Sequence, residues 1–149
     1  MPRRLDRKHQ GDVAELAFMH RAVDLGFKVS RPWGENNRYD FIVDSDGRLI
    51  RVQVKSAAVA QRGSYRVGAS SGHRRKQPYT KTQIDVLAVH IIPEDAWYLI
   101  PVRALAARKT IRLYPRRRPC HPLERFREAW SLLRRKATTK LPLIYTDEH

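Results

Sequence analysis

Asp40, Gln53 and Lys55 pair a carboxylate, an amide and an ammonium at a spacing that suits a reactive site. A carboxylate and an amide oxygen are ligands for a hard cation, and an ammonium beside them is a fixed positive charge. A hairpin brings them together. Two runs rich in Val, Ile, Phe and Tyr flank Asp46-Gly47, the residue pair of a two-residue hairpin turn. With those two in the turn, Ser45 faces Arg48, Val43 faces Ile50, Phe41 faces Val52 and Asp40 faces Gln53. Lys55 follows two residues later on the face of Gln53. Facing Cβ atoms start about 4.5–5.5 Å apart, near enough to share an ion. The other face reads Phe41, Val43, Ile50, Val52 and Val54, a core face that a one-residue slip would send into water. The same spacing also fits three polar residues on the wet side of a half-exposed hairpin.

The elements that must position this hairpin lie on both sides of it. Residues 11–26 read as a helix that ends at Gly26. Its apolar side chains fall on more than one face, so it is expected to be largely buried. Glu15 sits among them at helical spacing with Phe18, Met19 and Ala22. A buried carboxylate needs a cation, a donor or a cleft mouth; an acid on the open edge of a first turn, favoured by the helix dipole, also fits. Residues 27–30 read as a short strand, 64–68 as another and 84–92 as a central strand covered on both faces. Asp85 at its start fits either an acid supporting the site or the end of a loop. A strand over 97–102, a short helix over 103–108, an edge strand over 111–114 and an amphipathic helix over 123–136 complete the chain. The last carries the stripe Leu123, Phe126, Trp130 and Leu133.

Charge narrows the partner. Thirty Lys and Arg against fifteen Asp and Glu leave a net +15 in 149 residues, an excess that marks a polyanion-binding surface. Residues 56–81 contain Arg62, Arg66, Arg74, Arg75, Lys76 and Lys81 and no acid, and Arg116, Arg117 and Arg118 form a second cluster. The acids gather around the first helix and the hairpin, so a small acidic focus sits in a basic frame. Double-stranded DNA is the expected partner, held mainly through its phosphates. No apolar run is long enough to span a membrane, and the start lacks the apolar stretch of a signal peptide. A single Cys120 excludes an internal disulfide and a cysteine-based zinc cluster. The expectation is an intracellular, cytoplasmic, DNA-associated protein with one domain over 1–149: a basic leader at 1–10, a core at 11–102, and a basic C-terminal extension with a helix at 103–149.

A helix with Glu15, a strand, a hairpin with Asp40, then Gln53-x-Lys55: this order resembles the PD-(D/E)XK nuclease superfamily over residues 11–55. The later strands and the closing Glu124–Leu133 stretch resemble its intron-associated homing endonuclease branch. Tyr39 stands where the motif has proline, and Gln53 where it has a second acid. Members of that branch include glutamine there, a PD-(D/Q)XK-type site. The resemblance implies an α/β fold with a restriction-endonuclease-like core, a mixed central β-sheet with an antiparallel hairpin flanked by helices. It implies a metal-dependent DNA endonuclease with Glu15, Asp40, Gln53 and Lys55 in catalysis. Mg²⁺, with Mn²⁺ as substitute, would be held by Asp40, Glu15, Gln53 and the Val54 carbonyl. Cutting both strands implies a homodimer or homotetramer. A Holliday-junction resolvase or repair nuclease of the same fold, and an inactive DNA-binding module, stand as alternatives.

Overall fold

The computed structural model describes residues 6–116 and 121–134. In chain order the elements are α1 (Arg7–Asp24), β1 (Lys28–Ser30), β2 (Phe41–Ser45), β3 (Arg48–Ala57), β4 (Tyr65–Gly68), β5 (Ser70–Ser71), β6 (Gln77–Pro78), β7 (Val86–Ile91), β8 (Ala96–Pro101) and β9 (Thr110–Leu113). A five-stranded mixed sheet runs β1-β2-β3-β7-β8. Only the central β3–β7 pair is parallel; its neighbours are antiparallel. Two further ribbons pair β4 with β9 and β5 with β6.

The β2–β3 hairpin has the register that its pattern specifies: Phe41↔Val52, Val43↔Ile50 and Ser45↔Arg48. Asp46 and Gly47 both take positive φ, 50° and 89°, as a primed two-residue turn requires. The Gly47 N–H donates to Asp44 Oδ1 at 2.8 Å and fixes the turn. Phe41, Val43, Ile50, Val52 and Val54 are all buried, and α1 covers that face. Phe18, fully buried, is the anchor: its ring lies 5.5 Å from Phe41, 5.8 Å from Trp97 and 5.7 Å from Trp130. Removing such a ring from a packed core costs about 3–5 kcal/mol. On the opposite face, Leu87, Val89, Tyr98 and Ile100 pack with Tyr65, Val67, Ile111 and Leu113 from the β4–β9 ribbon. β7 is therefore covered on both faces, as its unbroken apolar run demands.

Helix α1 starts at Arg7, four residues before the expected 11, with the Asp6 side chain accepting the His9 N–H at 2.8 Å as its cap. Part of the expected leader is thus helix, and its first five residues lie outside the described ones. At the other end Gly26 (φ 93°) closes the helix. The N–H groups of Gly26 and Phe27 return to the carbonyls of Val23 and Ala22, a Schellman closure that satisfies the last orphan carbonyls. The helix is less buried than expected: Ala14, Phe18 and Ala22 are covered, while Val13, Leu16 and Val23 are 44%, 59% and 56% exposed. Among the described residues no helix is long and apolar enough to cross a membrane.

The helix expected over 123–136 is absent from its described part. Two 3₁₀ turns, Glu124–Phe126 and Trp130–Leu133, take its place, and residues 135 onward lie outside the described ones. Between the turns Glu128 sits at φ 51°. Its N–H donates to the Trp97 carbonyl at 2.7 Å, while its carboxylate accepts from the Trp97 N–H and from Trp130 Nε1. These bonds to β8 replace the intrahelical ones. Leu123, Phe126, Trp130 and Leu133 are nevertheless buried as the stripe predicts. The 103–108 helix is likewise a 3₁₀ turn, Val102–Leu105.

Candidate active site

The strand end that carries Asp40 departs from simple alternation. Phe41 pairs with Val52, and the Asp40 N–H donates to the same Val52 carbonyl at 2.8 Å. Two consecutive residues thus face one, the arrangement of a β-bulge. Asp40 is therefore not directly opposite Gln53, as the extended register had it. The bulge instead lets the carboxylate reach along β3: Asp40 Oδ2 accepts the Val54 N–H at 2.8 Å. In an extended strand the N–H and C=O of one residue point to the same side, so the Val54 carbonyl is turned to the edge that Asp40 occupies.

Glu15 comes to this edge from α1, held by the neighbouring Phe18 in the core. Its carboxyl lies within hydrogen-bonding reach of Asp40 and is pushed up to about 7, first by burial, then by the bond to Asp40 and by that group's charge. Arg31, whose Nη2 stands 3.5 Å from Glu15 Oε2, opposes the rise. Two carboxyls this close cannot both ionise at low cost without a cation. Lys55 follows one residue after Val54, and burial pulls its ammonium below the ordinary lysine value. The Asp40 charge opposes that shift, and Lys76 adds to it. Glu15, Gln53, Val54 and Lys55 line one open cleft of about 850 Å³.

A hard divalent cation fits this donor set. Mg²⁺ is commonly bound by one or two carboxylates, with water and substrate phosphate completing the shell; here Glu15 and Asp40 supply two carboxyls, the Val54 carbonyl lies on the Asp40 side of β3, and Gln53 lines the cleft with Glu15. Among the described residues no three His, Cys, Asp or Glu side chains gather into a cluster that could hold a metal.

The basic residues divide by location. Arg66 lines the cleft, opposite Arg112 in the β4–β9 ribbon. The Lys76 charge adds to the lowering of Lys55, and Arg74 and Arg75 are exposed in the same loop. Gly72 makes that loop possible: its φ is 105°, and a Cβ there would sit 2.6 Å from the Arg75 carbonyl oxygen. Arg62 lies in the turn before β4, beside Arg112 in a separate pocket. Lys81 is exposed at the other end of β3, where its carbonyl accepts from Arg51. Arg116 is ion-paired with Glu94 at 2.6 Å; Arg117 and Arg118 lie outside the described residues.

Asp85 stands apart from the site. It binds the Arg51 guanidinium and backbone N–H, and those bonds hold its carboxyl below the usual range against burial, which raises it. Its work is to tie the loop before β7 to β3. Contributors to the cleft that were not singled out by sequence include Arg7, Gln10, Ser56 and Thr110. Gln10 Nε2 donates to Ser56 Oγ at 3.2 Å and links the first turn of α1 to the strand of Lys55. The Asp6 cap signal could have found Arg7, since residues 7, 11 and 15 share one helical face, and Gln10, which follows Arg7 by three residues.

Residues 5–133 match the sequence model of the PD-(D/E)XK endonuclease family. The bacterial homing endonuclease I-Ssp6803I is 28% identical, with a TM-score of 0.76 over 87% of this chain and 93% of its own. The Holliday junction resolvase Hjc of Archaeoglobus fulgidus is 16% identical, with a TM-score of 0.47 over 71% of this chain and 88% of its own. Among curated proteins no sequence matches.

Proposed function

The chain belongs to the PD-(D/E)XK endonuclease family, and from that premise we propose that it is a metal-dependent, site-specific DNA endonuclease of the homing type. The observation that carries this reading is the Glu15–Asp40 carboxyl pair, with Asp40 pinned to the Val54 amide and Glu15 sharing one cleft with Val54 and Lys55. Its overall likeness to a bacterial homing endonuclease supports the branch.

Asp40 and Glu15 hold Mg²⁺, or Mn²⁺ in its place, with the Gln53 amide oxygen and the Val54 carbonyl as neutral ligands. Such an ion supplies Lewis acidity to the phosphate and acidifies a water. Gln53 contributes no charge, so Glu15 is needed as the second carboxylate. Lys55, already partly dehydrated and drawn toward Asp40, orients the attacking water or neutralises the charge that builds on the phosphorane. Arg66, Arg74, Arg75 and Lys76 hold the backbone of a DNA duplex over the cleft, and Arg62, Lys81 and Arg116 extend the basic surface away from it.

Cleaving both strands requires two such sites, which makes the working form a homodimer or homotetramer. The exposed Val13, Leu16 and Val23 stripe of α1 supports self-association. The two core clusters share the faces of one sheet, which supports a single nuclease domain. DNA as substrate implies an intracellular place of action.

Lys55→Ala tests the assignment. The expected result is a metal-dependent cleavage rate reduced about 100-fold or more, with duplex affinity within about five-fold of the native chain, because one lost phosphate contact is a small part of a polyvalent interface. An unchanged rate would overturn it. Salt-sensitive DNA binding by a native chain that never cuts would identify an inactive binding module.

A further inference from the structure

Trp33 is 101% exposed, whereas Trp97 and Trp130 are 4% and 7% exposed in the core. An indole is large and apolar and is normally well covered, so a fully bare one needs a partner. Its position suggests which. The loop over 31–40 joins β1 to β2, and both of its ends are at the carboxylate pair. Arg31 stands 3.5 Å from Glu15 and lies over the Phe41 ring at 5.4 Å; Asp40 is the last residue of the loop. The loop is shaped rather than slack: Gly34 and Asn36 hold φ of 98° and 65°, and Asn37 Nδ2 donates to the Gly34 carbonyl at 3.3 Å. Around the indole the loop carries Arg31, Arg38 and Glu35, with Asp40 at its end in the carboxylate pair.

We propose that Trp33 is a substrate-contact residue that stacks on a base of the bound duplex at the mouth of the cleft. This rests on the nuclease reading above. A base offers every sequence a π-face, and the flanking phosphates match Arg31 and Arg38 in a chain of net +15. Apolar side chains inserted between base steps unstack and kink the duplex, which would bring a scissile phosphate down to Glu15 and Asp40. A greasy protein partner fits less well, because the loop offers it an indole ringed by charges.

The test uses the full chain in EDTA, so that nothing is cut, with a fluorescein-labelled 25-base-pair duplex. Anisotropy reads binding and tryptophan emission reads stacking. Emission of the native chain should be quenched as the duplex saturates it, and Trp33→Phe should bind within a few-fold of native while showing little quenching, since its two remaining tryptophans are buried. Trp33→Ala should bind about 5- to 100-fold more weakly, with an unchanged melting temperature because the side chain touches no core. Native binding with unquenched Trp33 emission and an unweakened Trp33→Ala refutes the stacking role and leaves the nuclease reading intact. Failure of the native chain to bind any duplex refutes the nuclease reading itself. A change in Trp33 emission that follows protein concentration without DNA assigns the loop to self-association instead and overturns the proposal.

Discussion

Replacing Glu15 by glutamine should stabilise the metal-free protein at alkaline pH while destroying its function. The Glu15 carboxyl is raised from 4.5 to about 7 by burial and by Asp40, so its ionised form is the unfavourable one in the fold. A group raised in this way contributes stability that is fully present below its unfolded pKa, near 4.5, and lost as pH climbs through about 7. At about 1.4 kcal/mol per pH unit the difference corresponds to about 3 kcal/mol. The side chain is 21% exposed at the cleft edge, and water screening there reduces the figure to about 1–2 kcal/mol. Glutamine has no charge to repel Asp40, and its amide can donate to that carboxylate. The lost pair with Arg31, itself 61% exposed, is worth little. Urea denaturation in EDTA should therefore show equal stabilities near pH 4.5 and a variant more stable by about 1–2 kcal/mol at pH 8. Adding Mg²⁺ should stabilise the native chain by mass action and the variant much less. A variant less stable than native at pH 8 in EDTA, or a difference independent of pH, would refute the reasoning.

Two further changes probe the frame around the site. Gly11→Ala lies inside α1 with open space where its Cβ would go, so thermal melting should show about 0.5–1 kcal/mol of added stability. Glu124→Ala leaves the buried Tyr98 hydroxyl and the Tyr114 N–H without the carboxylate that accepts from both; denaturation should show a loss of about 2–4 kcal/mol.

The hairpin was legible because two independent signals agree there, the Asp46-Gly47 turn and a period-two core face. An acid set at helical spacing among Phe18, Met19 and Ala22 drew attention to Glu15, and the structure brings it to Asp40. The bulge at Asp40 was not legible, since it depends on which carbonyl a strand-end amide finds. Neither was the true start of α1: Gly11 is a poor interior residue and hid the Asp6 cap beyond it, and with it Arg7 and Gln10. The spacing of Leu123, Phe126, Trp130 and Leu133 correctly marked burial but not conformation. The bonds that break the helix at Glu128 come from Trp97, about thirty residues back, and no local pattern announces them.

The most direct measurement is cleavage of a randomised duplex library, read by sequencing, in Mg²⁺ and in EDTA, with Asp40→Ala beside the native chain. A metal-dependent, site-specific nuclease should cut at a restricted set of sequences, only with the metal, and the variant should not cut. Cutting that persists in EDTA, or that Asp40→Ala performs as well as the native chain, would contradict it.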